Sequence, residues 1–126
     1  LTIRSVLEVF EDDDALEIWW ADFGATYDRS RKMLTFRPLP MLQISVVKRR
    51  ISETAFEFDY VSGPLRGIGV WELSSVGTRR TLVKYSVNLR LAITPKINPM
   101  SWRFIRRKHA ADILALMNRL VDLPAS

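Results

Sequence analysis

Only one stretch of this chain carries a sustained helical pattern, and it comes last. In residues 98–123, NPMSWRFIRRKHAADILALMNRLVDL, the side chains Trp102, Ile105, His109, Ile113, Leu116 and Leu120 recur at spacings of three and four. Asn98 reads as an N-cap, Pro99 as the first helical residue and Pro124 as the stop. At about 1.5 Å per residue such a helix spans about 36 Å, enough to cross several strands. Nearly everything before it reads as consecutive strands. Antiparallel strands followed by one long helix predict an α+β chain, in which a curved sheet of about six strands packs around the C-terminal helix.

The strand pattern is cleanest in residues 80–93. Thr81, Val83, Tyr85, Val87, Leu89 and Leu91 share one face there, with Lys84, Asn88 and Arg90 opposite. Residues 54–61 alternate as well, with Phe56, Phe58 and Tyr60 on one face and Glu57 and Asp59 on the other. Residues 42–50 and 66–74 complete this group. Gly67 and Gly69 leave room for a neighbouring backbone or a bound ligand. Ser62-Gly63-Pro64 and the segment around Gly77 are turns.

Further upstream, residues 2–10 place Ile3, Leu7 and Val9 on one parity and predict a half-buried strand. Glu11-Asp12-Asp13-Asp14 would follow as a solvated hairpin tip, with no spacing that matches a calcium loop. Residues 15–27 predict a second strand, apolar on both faces at Trp19-Trp20, and Gly24 a bend. Residues 28–41 are irregular, and Pro38 and Pro40 argue against a central strand there.

At 126 residues, 48% of them hydrophobic, the chain is one domain with enough apolar surface for a real core. It opens at Leu1 with no signal-peptide pattern, which predicts a domain incomplete at its N-terminus. There is no cysteine, so disulfides and thiolate chemistry are excluded, and the single histidine excludes a histidine metal cluster. No metal and no cofactor are expected. Apolar runs are too short for a membrane-spanning helix, and a cytoplasmic or membrane-peripheral location is expected.

Charge is uneven. Residues 1–63 carry 8 Lys/Arg and 11 Asp/Glu, whereas residues 64–126 carry 11 and 3. Arg103, Arg106, Arg107 and Lys108 lie in the first turns of the helix, where cations oppose the helix dipole. They are candidates for an anionic lipid or an acidic partner, with a solvated charged face as the plain alternative. No RNA-binding or helix-turn-helix pattern accompanies them, so no nucleic-acid partner is expected.

The segment 62–87, SGPLRGIGVWELSSVGTRRTLVKYSV, resembles the START-like polyketide cyclase/dehydrase and lipid-transport superfamily, including its coenzyme-Q-binding and toxin-like branches. The resemblance rests on Gly69-Val70-Trp71-Glu72-Leu73, Gly77, Thr81-Leu82-Val83-Lys84-Tyr85, Pro95, Pro99 and the helix after it. It implies a helix-grip fold, with an apolar cavity between sheet and helix. The strand and two short helices with which such proteins usually begin are expected to be missing. The apolar stretch Ile113-Leu114-Ala115-Leu116-Met117 would then need a second cover, for which a homodimer is one source.

On that basis Trp20, Phe56, Phe58, Tyr60, Trp71, Tyr85, His109 and Leu116 are the candidate ligand-binding residues, though each could equally be core or structural. Three functions are open. The first is binding or transport of a hydrophobic small molecule such as a lipid, a quinone or a polyketide-like compound. The second is a cyclase or aromatase using Tyr60, Tyr85 or His109 to move protons. The third is a toxin-like interaction protein using the basic end of the helix.

Overall fold

The computed structural model describes residues 2–39, 42–91 and 99–122. Asn98, Pro95, Pro124 and the side chains of Trp102 and Ile105, all invoked above, lie outside the described residues. The elements run α1 (Ile3–Glu11), α2 (Asp13–Trp19), a short 3-10 turn (Ala21–Phe23), β1 (Thr26–Asp28), β2 (Met33–Leu39), β3 (Leu42–Ser52), β4 (Ala55–Ser62), β5 (Leu65–Val76), β6 (Arg80–Leu91) and α3 (Pro99–Asp122). The six strands form one antiparallel sheet in sequence order, β1 to β6. Helices and sheet together make the expected α+β, helix-grip-like arrangement.

The N-terminal expectation is corrected. Where two strands were expected over residues 2–27, residues 3–23 form two short helices and a 3-10 turn, and only Thr26 and Tyr27 are strand, at the start of β1. Ile3, Val6, Leu7 and Phe10 also recur with helical spacing, and Val6, Leu7 and Phe10 are buried together. Thr2 caps α1 by accepting the Ser5 amide at 3.2 Å. The acidic run is a helix junction, not a hairpin tip. Asp12 ends α1 and caps α2, its Oδ1 accepting the Asp14 and Ala15 amides at 2.9 and 3.3 Å. Asp13 and Asp14 fall in the first turn of α2, where the helix dipole favours carboxylates. Two short helices, α1 and α2, thus precede the sheet where strands were expected.

Residues 33–39 are also a strand despite Pro38. Pairing between β2 and β3 shifts between Phe36 and Leu39, so the proline sits in an irregularity of the ladder. Its outer neighbour β1 has only three residues, paired with residues 33–35, so among the described residues no strand pairs with the Pro38 end on that side.

The concave face of the sheet carries Leu34, Phe36, Val46, Phe56, Phe58 and Trp71, with α1, α2 and α3 laid against it. The centre is aromatic. Trp71 meets Phe10 at 5.5 Å between ring centroids, Trp19 at 5.3 Å, Phe58 at 5.9 Å and Tyr85 at 4.0 Å. Trp19 also ties α2 to α3, its Nε1 donating to the Leu116 carbonyl at 2.7 Å. Leu116 thus finds within the chain the cover sought from a second copy, while Leu114 stays 60% exposed. Lys48, nearly buried, extends from β3 and donates to the Phe10 carbonyl at 2.7 Å and to Asp13 at 3.0 Å. That cation satisfies the C-terminal end of α1 and the acidic start of α2 together.

Candidate functional site

The site lies between the edge strand β6 and α3. On β5, Gly67 and Gly69 point to the concave face, as do Trp71 and Leu73. Their register partners on β6 are Leu89 and Val87. Neither glycine position leaves empty space: a Cβ at Gly67 would lie 2.1 Å from the Asn88 carbonyl oxygen, and the space beside Gly69 holds the Tyr85 ring. Tyr85, paired with Trp71, stacks on its indole with the planes 19° apart and leans diagonally over Gly69. A Cβ at residue 69 would lie 1.9 Å from Tyr85 Oη, so glycine is what lets the ring lie there.

The packing of Tyr85 over Gly69 brings three polar groups into line. Tyr60 Oη is 2.8 Å from Tyr85 Oη and 2.9 Å from His109 Nε2. Tyr60 comes from β4, Tyr85 from β6 and His109 from α3, so the chain of hydrogen bonds joins both layers. Burial holds the His109 imidazole below its usual pKa, and the carboxylate of Asp112 only partly opposes this. Burial also raises both tyrosines, Tyr60 strongly. All three groups are therefore neutral at neutral pH.

A neutral chain can run in either direction. With Nε2 bare, Tyr60 donates to it and accepts from Tyr85. With Nε2 protonated, His109 donates to Tyr60, Tyr60 donates to Tyr85, and the Tyr85 proton is left for the cavity. Tyr85 can therefore meet a ligand as donor or acceptor.

Beside this chain is a cavity of about 690 Å³. Leu65, Val87, Leu89, Ala110 and Ile113 form its apolar wall, and Tyr85, Asn88, Arg106 and His109 supply its polar groups. Its size falls within the range of small-molecule sites. A second concavity of about 760 Å³ lies at the other end of the sheet, around Asp13, Tyr27, Lys48 and Arg50. Its charges are largely spent on each other, Lys48 on Asp13 and Arg50 on Glu11 at 2.8 Å. That concavity is a salt-bridged seam more than a binding site.

Of the eight candidate residues, Tyr85 and His109 line the β6–α3 cavity, and Tyr60 backs them at hydrogen-bond distance. Trp20, Phe56, Phe58, Trp71 and Leu116 are packed in the core. The aliphatic wall was not singled out from the sequence. Its signal was present in the paired glycines of β5, whose cross-strand partners are two of the wall residues. Among the described residues no cluster of His, Asp or Glu could hold a metal ion. No described helix is long and apolar enough to cross a membrane. Compared with family models, curated proteins and solved structures, the chain matches none.

The shifted pKa values predict how stability depends on pH. A histidine with its folded pKa below the unfolded value near 6.5 contributes stability that is complete above about pH 6.5 and is lost as pH falls. Tyrosines raised above the unfolded value near 10 contribute stability that is complete below about pH 10 and is lost as pH rises. Tyr27, pushed up to about 12 by burial and then by the Asp13 carboxylate, adds to the alkaline decline. Urea midpoints measured across pH should form a plateau between these limits. In His109→Gln the acid decline should begin only in the carboxylate range. An unchanged acid limb would mean that His109 is not the buried group.

Proposed function

We propose that this chain binds a hydrophobic small molecule in the cavity between β6 and α3, as a carrier or binding protein. The observation behind this is the cavity wall. Leu65, Val87, Leu89, Ala110 and Ile113 make it apolar on one side, and among its polar groups Tyr85 and His109 are joined through Tyr60 in a neutral hydrogen-bonded chain. Burial of apolar surface would supply affinity, and Tyr85 and His109 would orient a ligand oxygen. The resemblance to START-like lipid-transport and polyketide cyclase proteins points to the same ligand classes: lipid, quinone or polyketide-like. A cytoplasmic or membrane-peripheral location suits such a carrier.

A cyclase is the second reading, favoured by the same three groups, since a cavity-facing phenol linked to an imidazole can relay a proton. The pKa directions weigh against it. A general acid or base works best with a pKa near the operating pH, and burial moves both phenols away from it. Neutral, well-partnered hydroxyls suit orientation better than proton abstraction.

Ala110 allows a clean test. It lines the cavity from an exposed position of α3, so a larger side chain there fills the cavity without entering the core. Ala110→Trp should weaken binding of an apolar probe, lauryl alcohol, by about tenfold or more, the equivalent of losing about two buried methylenes, while the melting temperature holds. Unchanged affinity would place the ligand elsewhere.

A further inference from the structure

The β6–α3 cavity does not end at its apolar wall. Arg106 and Ala110 also line a shallower depression of about 330 Å³, completed by Arg103 and Arg107. Spacings of three and four put these arginines on one side of α3. No carboxylate lines either hollow. Asp112, the nearest acidic residue on α3, is buried, and Lys108 donates to its Oδ1 at 2.5 Å. Lys108 also lies 5.8 Å from the Phe23 ring centroid. It is thus engaged toward the domain. An apolar trough therefore opens directly into a cationic one.

We propose that the ligand is an amphiphile with one anionic head. Its tail lies along Val87, Leu89 and Ile113, and its carboxylate or phosphate sits on Arg103, Arg106 and Arg107. This rests on the cavity being the binding site. Guanidinium groups bind carboxylate and phosphate oxygens in pairs, which suits either head. An exposed ion pair is weak by itself, so the arginines would not hold a small anion alone. Joined to a buried tail, the head adds selectivity, because the tail has already placed it against the cations.

Monomeric probes with matched tails separate the contributions in a calorimetric titration: lauryl alcohol, laurate, lauryl phosphate and laurylamine. Laurate or lauryl phosphate should bind at least about tenfold more tightly than lauryl alcohol, with laurylamine weakest, and added salt should narrow the gap. The better of the two acids identifies the head. In the variant Arg103→Gln/Arg106→Gln/Arg107→Gln, laurate should bind no more tightly than lauryl alcohol binds the wild type. Equal affinity of wild type for all four probes would overturn the anionic head and leave the cavity intact. Binding of the acids that survives the triple variant would also overturn it. Failure of every probe, lauryl alcohol included, would overturn the cavity itself.

Discussion

Replacing Trp71 with alanine should cost the fold about 3–5 kcal/mol, a large part of the roughly 5–15 kcal/mol that holds a typical domain together. The indole is fully buried and touches rings from four other elements: Phe10 of α1, Trp19 of α2, Phe58 of β4 and Tyr85 of β6. Removing it leaves a void that rigid aromatic neighbours cannot collapse into. It also takes away the surface on which Tyr85 stacks, so the hydrogen bond to Tyr60 should loosen with the core. Equilibrium urea unfolding would show the midpoint falling sharply. Trp71→Phe should lose much less, because a ring remains against Tyr85. A midpoint unmoved in Trp71→Ala would show that the aromatic cluster is not what joins helices to sheet.

Gly69→Ala should be the second large effect, and it has an unusual sign. In a compatible strand position, exchanging glycine for alanine stabilises by about 0.4–1 kcal/mol through the unfolded chain. Here the added methyl would meet Tyr85 Oη at 1.9 Å and Cζ at 2.4 Å. The ring must leave its stack on Trp71, at a cost of about 1–3 kcal/mol typical of an overpacked site. Tyr85→Ala removes the obstacle, so Gly69→Ala should be close to neutral in that background. A double-mutant cycle reads this as a coupling between residues 69 and 85. Additive losses would mean that Tyr85 does not lie over Gly69.

The parts of the fold legible in the sequence are those where only one periodicity fits. In β4 and β6 the apolar positions alternate over long runs, and in α3 they recur too widely spaced for a strand. Residues 3–11 were ambiguous because Ile3 and Leu7 satisfy both periods. The β-branched residues around them tipped the expectation toward a strand. What decides for a helix is a tertiary fact, the burial of Val6 and the packing of Phe10 against Trp19, Trp71 and Phe56. The three aspartates misled for a similar reason. Asp12 serves as a cap, and a cap and a turn draw on the same residue types. Pro38 was tolerated because a register shift lies beside it, which no local pattern reveals.

The site was legible in its polar members and not in its walls. Tyr60, Tyr85 and His109 stand out by chemistry, since each is a hydrogen-bonding group on an otherwise apolar face. Trp20, Phe56, Phe58 and Trp71 stand out equally in sequence, yet Phe10 and Trp19 cover Phe56 and Trp71, and Trp20, which caps α2, packs on Phe36 and Phe58. Only the strand register and the position of α3 show that Val87 and Leu89 of β6 form the wall facing Ala110 and Ile113.

The most direct measurement is a residue-resolved NMR titration of the isotopically labelled chain with laurate kept below its micelle concentration. Intermolecular NOEs from the laurate methylenes should reach Val87, Leu89, Ala110 and Ile113, with amide shifts concentrated on β6 and on the first half of α3. Saturable binding with NOEs confined to the Asp13–Lys48 concavity or to the convex face of the sheet would contradict the cavity as the site.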